Sequence, residues 1–369
     1  MLRDDMEAGE TAEPTLRYAH SWRIEAFGAP LAPHRMPAPE PQGRELLLRT
    51  RRCGVCHSDL HLSDGYFDLG GGKRLTMAER DIVPPLTPGH EIVGELIAAG
   101  PCADLEGLAL GKSYLVCPWI GCGRCGPCRK GRGHLCLVPR AIGIQRIGGY
   151  SDRVIVPEGR YLIDIEGLDP SEAATLACAG LTAYSAISKG QGEKDDWLAL
   201  IGLGGVGSAG LQIARGLGFE RIAVVDMDAA KLDRAMAHGA HWAVNTRETD
   251  ASARLRSGTG GIETVVDFVG SSQTAQLGLD VLLRGGSYIA VGMLGGKLQL
   301  PLPLLATRAI TVRGSYTGSL AELRELVALA QVGRIEAAPV ETMAHARVNE
   351  ALDKLRKGLA SARQVLDYD

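Results

Sequence analysis

From Trp197 to Ala214 the chain runs eighteen residues without a charge, and five of them are glycine (Gly202, Gly204, Gly205, Gly207 and Gly210). Eighteen apolar residues lie near the lower limit for a membrane-spanning helix. Glycine at this density fits better with a buried strand over Leu198 to Ile201, a tight turn, and a helix over Val206 to Leu217. A second apolar strand is expected at Ile222 to Asp226 and a helix over Ala229 to Ala237. Further strands are expected near Ala243-Val244, Thr264 to Phe268 and Tyr288 to Val291, with a helix around Ala275 to Leu283. Strands that are apolar throughout and separated by helices predict a parallel sheet covered on both faces, the doubly wound α/β arrangement.

In that setting the run Gly202-Leu203-Gly204-Gly205-Val206-Gly207 gains meaning, because it joins an expected strand to an expected helix. Gly202 permits the tight turn, Gly204 lets a pyrophosphate approach the backbone, and Gly207 lets helix and strand pack closely. The phosphates would then meet unpaired N–H groups at the positive end of a helix. Asp226, at the end of the next strand, offers a carboxylate to ribose hydroxyls. A ribose phosphate there would face like charge, so the pattern predicts NAD rather than NADP.

All nine cysteines precede residue 179, and four of them, Cys122, Cys125, Cys128 and Cys136, fall within fifteen residues at C-x2-C-x2-C-x7-C spacing. Four thiolates so close together predict a closed zinc site. Upstream, Cys53-Gly-Val-Cys56-His57-Ser58-Asp59-Leu60-His61 holds a second set of candidate ligands. A net charge of −3, without a basic run interleaved with aromatic residues, argues against nucleic-acid and anionic-membrane partners. The acidic, polar start from Met1 to Pro14 does not look like a signal peptide and reads as a loose extension. A cytoplasmic location is the expectation, which also favours metal over disulfide for the cysteines.

Before the glycine loop the texture differs. Short apolar runs at Leu46 to Thr50, Ile92 to Leu96, Tyr114 to Val116 and Arg153 to Val156, separated by Gly and Pro, predict a mostly-β region. Two helices (Leu320 to Ala330, Arg347 to Lys357) and a short strand at Gln364 to Leu366 close the chain. The expected division is a first domain over 1–180, with 1–15 as its loose extension, a dinucleotide-binding domain over 181–314, and a segment over 315–369 that returns to the first domain.

The Cys56 segment, Thr87-Pro-Gly-His90-Glu91 and Leu176-Ala-Cys178-Ala-Gly-Leu181 occur in one chain with the four-cysteine run and the glycine loop. In order and spacing they resemble the zinc-dependent alcohol dehydrogenases of the medium-chain dehydrogenase/reductase family, most of all the yeast and bacterial branch. The resemblance covers about residue 40 to the end. It implies a GroES-like catalytic domain with a structural-zinc lobe beside a Rossmann domain, two zinc ions per chain, NAD, and a homo-oligomer (dimer or tetramer). The implied reaction is reversible oxidation of primary or secondary alcohols to aldehydes or ketones.

By the same resemblance, Cys56, His90 and Cys178 are the catalytic zinc ligands, and the four-cysteine run is the structural site. Two thiolates and an imidazole leave a fourth position where zinc can acidify a bound alcohol, which then releases hydride to NAD. Ser58 and His61 match the family's proton relay, Asp59 the carboxylate that orients the histidine ligand, and Glu91 an acidic residue behind the metal. Lys231 and Arg363 are implied near the adenosine ribose and the pyrophosphate. Val291 and Met293 are implied beside the nicotinamide, and His57 and Trp119 along the cleft, with His57 also facing the pyrophosphate. Cys53, Cys102 and Cys117 are left as structural thiols.

The chain departs from the short yeast-like pattern in a longer stretch from Gly65 to Asp81, between two catalytic ligands. Loops at a cleft mouth commonly set substrate choice. Alternatives to the alcohol dehydrogenase reading are a polyol or acyl-CoA-linked dehydrogenase of the same family, and a non-catalytic zinc- and nucleotide-binding protein. Polyol enzymes carry an acidic residue where Cys178 stands, and the second alternative requires loss of a ligand or relay residue, whereas all are present.

Overall fold

The computed structural model describes residues 17–248, 250–336, 338–360 and 362–369. The expected loose extension at 1–15 lies outside the described residues. Two sheets organise the rest. Six parallel strands stand in the order Trp242–Asn245, Arg221–Asp226, Trp197–Ile201, Ile262–Asp267, Leu282–Ala290, Thr311–Gly314. The strand order reverses beside Trp197–Ile201, so a crevice opens where the glycine turn leaves the sheet. Leu198, Leu200, Ile222, Val224 and Val266 are fully buried, as continuous apolar strands between two helical layers require.

The second sheet is mixed and has seven strands. Its central strand Leu46–Gly54 pairs antiparallel with Glu91–Ala99, with Arg153–Val156, and with the C-terminal strand Arg363–Asp367. That last pairing brings the end of the chain back beside the Cys56 segment, with the Val55 amide donating to the Gln364 carbonyl at 2.9 Å. Among the described residues no helix is long and apolar enough to cross a membrane. The uncharged run divides into the strand Trp197–Ile201 and the helix Gly205–Gly216.

Several boundaries differ from the sequence reading for local reasons. The helix expected from Ala275 begins at Ser272, because the Ser271 hydroxyl and the Thr274 side chain cap it reciprocally. The following strand begins at Leu282 rather than Tyr288. The Cys56 segment, in which no helix was expected, forms the helix His57–Asp64 with Cys56 at its N-cap. Asp59 bonds back to the Cys56 amide at 2.9 Å and so completes a capping box. Cys178 lies on a single π-helical turn, Leu176–Gly180, of the kind that often marks a functional position.

Candidate active site

Four side chains from three distant parts of the sequence meet at the buried edge of the mixed sheet. Cys56 comes from the start of a helix, His90 and Glu91 from the start of the strand Glu91–Ala99, and Cys178 from the π turn. Their ligand-type atoms all lie within 4.8 Å of one another. Cys56 Sγ and Cys178 Sγ are 3.9 Å apart. Four ligands placed tetrahedrally about 2.3 Å from a zinc ion stand about 3.8 Å from one another, so the thiols already have the required spacing.

The protonation chemistry fits as well. Contact with Cys178 is the main cause that holds the Cys56 thiol well below the ordinary thiol range. The same contact, together with burial, pushes Cys178 well above that range. A divalent cation bound by both sulfurs would displace the remaining thiol proton. His90 is 1% exposed, and neither ring nitrogen has a hydrogen-bond partner. A buried imidazole without partners costs stability unless something binds it. Its Nδ1 lies 3.3 Å from Asp59 Oδ1, close enough for electrostatic attraction.

Asp59 is itself fixed from three sides. It accepts from the Cys56 amide (2.9 Å), the Tyr150 hydroxyl (3.0 Å) and the Gly89 amide (3.3 Å). Behind the cluster the fully buried Glu91 pairs with Arg363. Burial pushes Glu91 up to about 7 against the pull of Arg363. Gly54 makes room for this carboxylate, because a Cβ there would sit 2.0 Å from Glu91 Oε2. The sequence reading missed Tyr150 and Gly54. A buried tyrosine in Gly-Gly-Tyr-Ser is a weak signal, since its partner lies far away in the chain.

On the open side, Ser58 Oγ stands 3.7 Å from Cys56 Sγ. The His61 ring lies 5.0 Å from Phe67 and is partly exposed. Burial first, then the neighbouring His57, lowers the His61 pKa below its ordinary 6.5. The His57 ring is exposed, yet enough protein surrounds it to lower its pKa, with Arg363 and Lys231 adding to the effect. Trp119 donates to the Ala177 carbonyl at 2.9 Å and lies 5.5 Å from His90 and 6.0 Å from Tyr316. Cys53 is fully buried and outside the cluster, its thiol packed against Gly89 and Gly149.

The glycine turn has a second constellation. Gly202 adopts φ +89°, and a Cβ on Gly207 would stand 1.8 Å from the Gly202 carbonyl oxygen, so helix and strand approach as only glycine allows. A Cβ on Gly204 would meet nothing within 4 Å, so that backbone faces open space. Three other helices beside this sheet carry side-chain caps (Asp228, Asp250, Ser271), whereas Gly205–Gly216 has none. Its first-turn amides around Gly205, Val206 and Gly207 are therefore free for an anion.

Arg363 borders the same turn, since a Cβ on Gly205 would come within 2.6 Å of Arg363 Cδ. One guanidinium thus touches both the glycine turn and Glu91. Asp226 accepts from the amides of Leu203 (2.6 Å), Met227 (2.8 Å) and Asp228 (3.0 Å). A carboxylate has about four acceptor sites, which leaves one free for a ribose hydroxyl. Val291 donates to the Asp267 carbonyl at 3.0 Å and Met293 is 40% exposed, on the loop that follows the strand Leu282–Ala290.

The four-cysteine group lies apart, in a lobe between two strands of the mixed sheet. Cys122, Cys125, Cys128 and Cys136 bring their sulfurs within 4.8 Å of one another, and Cys125 and Cys136 are 3.8 Å apart. Amides of Arg124 and then Cys125 hold the Cys122 thiol down to about 6, while burial and then contact with Cys125 push Cys128 up to about 12. All four positions are filled by protein, so this site has no opening for substrate.

The alcohol dehydrogenase GroES-like domain matches residues 42–167, and the zinc-binding dehydrogenase domain matches residues 205–331. An NAD-dependent alcohol dehydrogenase of Sulfurisphaera tokodaii is 33% identical over 93% of this chain and 98% of its own length. The solved alcohol dehydrogenase of Aeropyrum pernix superposes with a TM-score of 0.84 at 29% identity, over 94% of this chain and 99% of its own. The acetophenone reductase of Geotrichum candidum, solved with NAD, superposes with a TM-score of 0.83 at 27% identity, covering 95% and 97%.

Proposed function

The chain belongs to the zinc-binding, NAD-dependent alcohol dehydrogenases, and we propose that it interconverts primary or secondary alcohols with aldehydes or ketones at the Cys56–His90–Cys178 cluster. The observation that carries this reading is the cluster: two sulfurs 3.9 Å apart beside a buried imidazole with both nitrogens unpartnered. Cys56, His90 and Cys178 would hold a zinc ion, which when bound supplies a Lewis acid for the alcohol hydroxyl or the carbonyl. The glycine turn, Asp226 and Arg363 would hold NAD, which supplies the hydride acceptor. Lys231, Val291 and Met293 would complete that pocket.

Asp59 orients the His90 ring from behind, held in its own place by Tyr150 and two amides. Glu91 and Arg363 tie the cluster to the glycine turn. Ser58, beside Cys56, is positioned to accept the proton that the alcohol loses, and His61 to pass it to solvent. A His61 ring with a pKa below 6.5 is neutral near pH 7 and free to accept that proton. Alcohol oxidation should therefore decline as the pH falls through that lowered pKa and the ring becomes charged. His61→Gln is expected to remove this acid limb from the pH profile of kcat/KM and to slow turnover about 10- to 100-fold at neutral pH. An unchanged profile would remove His61 from the relay.

An open edge strand, Thr311–Gly314, and the exposed Leu302, Leu304 and Val312 beside it support assembly of the chain with itself. The test of the activity is NADH formation across a panel of primary, secondary and aromatic alcohols, repeated with NADP. Turnover with NAD is expected, and no turnover of any alcohol would overturn the reading. Asp226→Gly is expected to lower the NAD-over-NADP ratio of kcat/KM about tenfold or more, since a hydrogen bond to a charged acceptor contributes about 1.5–3 kcal/mol. A wild-type preference for NADP would contradict that assignment.

A further inference from the structure

The longer stretch between the catalytic ligands folds as a hairpin, Tyr66–Asp68 against Arg74–Thr76, followed by the turn Ala78–Arg80. Its tip reaches the coenzyme-binding sheet. A Cβ on Gly70 would stand 2.9 Å from Gly296 Cα, and one on Gly295 would stand 2.9 Å from the Asp68 carbonyl oxygen. The hairpin therefore bridges from the end of the Cys56 helix to the loop that follows the strand Leu282–Ala290.

At its base stands the exposed Arg80. The Arg80 guanidinium lies 5.2 Å from the centroid of the Phe67 ring, whose other neighbour is the His61 ring at 5.0 Å. Its Nη1 rests 4.0 Å from the buried Met77 sulfur. Trp119 and Tyr316 stand 6.0 Å apart, with Trp119 against His90. Although Tyr316 stays 42% exposed, enough protein surrounds its hydroxyl to raise its pKa. Two charges act there as well: Arg80 opposes the rise and Cys178 adds to it. Two rows of side chains thus bound a slot: His90, Trp119 and Tyr316 in one, and His61, Phe67 and the exposed Arg80 in the other.

No carboxylate among the described residues forms an ion pair with Arg80. The adjacent Glu79 is engaged elsewhere, accepting from the Thr76 amide and hydroxyl, both at 2.7 Å. A guanidinium supported on an aromatic ring and lacking an internal partner matches a planar anion.

We propose that Arg80 is a specificity-determining residue that binds a carboxylate at the far end of the substrate, so that the preferred substrates are alcohols or aldehydes whose reacting carbon is joined to a carboxylate by an apolar segment. This rests on the alcohol dehydrogenase reading above and narrows its substrate class. The aromatic rings suit a hydrocarbon or aromatic spacer, and the exposed Arg80 suits a charged terminus that stays partly solvated.

The test compares ω-hydroxy fatty acids with their methyl esters at matched chain length. The acid is expected to exceed the ester in kcat/KM by about tenfold at the best length, and Arg80→Gln is expected to bring that ratio to about one, through KM. Arg80→Lys should keep part of the preference, because charge remains and the fork is lost. A wild-type ratio near one, or a ratio unchanged in Arg80→Gln, overturns the proposal. Hydroxyalkyl phosphates tested in parallel overturn the carboxylate assignment if they are the better substrates. Failure of the underlying reading would instead show as no turnover of any alcohol, acid or ester. Quenching of tryptophan fluorescence by a long-chain carboxylate then still reads the slot directly: binding that Arg80→Gln weakens about tenfold supports the proposal, and binding indifferent to that change overturns it.

Discussion

Replacing Cys178 with alanine is expected to leave one zinc ion per chain instead of two and to lower alcohol turnover about a thousandfold, with little change in folding. The size follows from losing a Lewis acid that contributes several kcal/mol to the barrier, about 4 kcal/mol being a factor of about a thousand. The folding cost should be small because Cys178 sits in the π turn among small side chains, and deleting one buried sulfur leaves only a small cavity, at about 1 kcal/mol. The two consequences separate the catalytic role from a packing role. If Cys178 were only a buried thiol, the variant would keep both metal ions and most of its activity. Zinc content, melting temperature and NADH formation, measured on one preparation, distinguish the cases.

The second large effect is expected at the four-cysteine lobe, and it is a loss of stability rather than of chemistry. Between Cys122 and Cys136 the chain forms only the short helix Gly126–Arg129 and the turn Gly133–Leu135, and neither has a buried residue. Leu135, Leu137 and Val138 are exposed. A segment with no core of its own cannot offset the entropy of ordering its backbone, about 1–2 kcal/mol per residue, unless something ties its sulfurs together. The double variant Cys125→Ser with Cys128→Ser is therefore expected to lose one zinc ion and to expose the lobe to proteolysis. Its melting temperature should fall by about 5 °C or more, at roughly 2–4 °C per kcal/mol for a domain of this size. An unchanged melting temperature and cleavage pattern, with full activity, would show that the cluster holds nothing together.

Local chemistry was what the sequence made readable. The glycine turn, Asp226 and the four-cysteine spacing each sit within a short stretch, so the residues and their chemistry are read together. Cys56, His90 and Cys178 lie far apart, and only the order of three motifs linked them before the fold placed their ligand atoms within 4.8 Å. What stayed hidden depends on contacts between distant segments. Tyr150 reaches Asp59 across ninety-one positions, Gly54 is small because Glu91 needs its space, and Tyr316, just after the edge strand Thr311–Gly314, packs against Trp119. The helix His57–Asp64 was hidden for another reason. Its capping residue is a cysteine, which does not belong to the usual Ser, Thr, Asp or Asn set that marks a helix start.

The hairpin shows a different limit. Its glycines announce turns, but nothing within Gly65 to Asp81 indicates that the tip will meet Gly295 and Gly296. Nor does the sequence show that Arg80 will lie over Phe67 instead of pairing with its neighbour Glu79. Thr76 captures Glu79 first, which leaves the guanidinium unpartnered.

A zinc titration of the metal-stripped protein, with alcohol-dependent NADH formation followed at each addition, decides which ion carries the chemistry. Two ions per chain should bind, and activity should return with the ion held by Cys56, His90 and Cys178, while Cys178→Ala binds one ion and stays inactive. Full turnover with a single ion in the four-cysteine lobe, or activity restored in Cys178→Ala, would place the chemistry outside the Cys56–His90–Cys178 cluster.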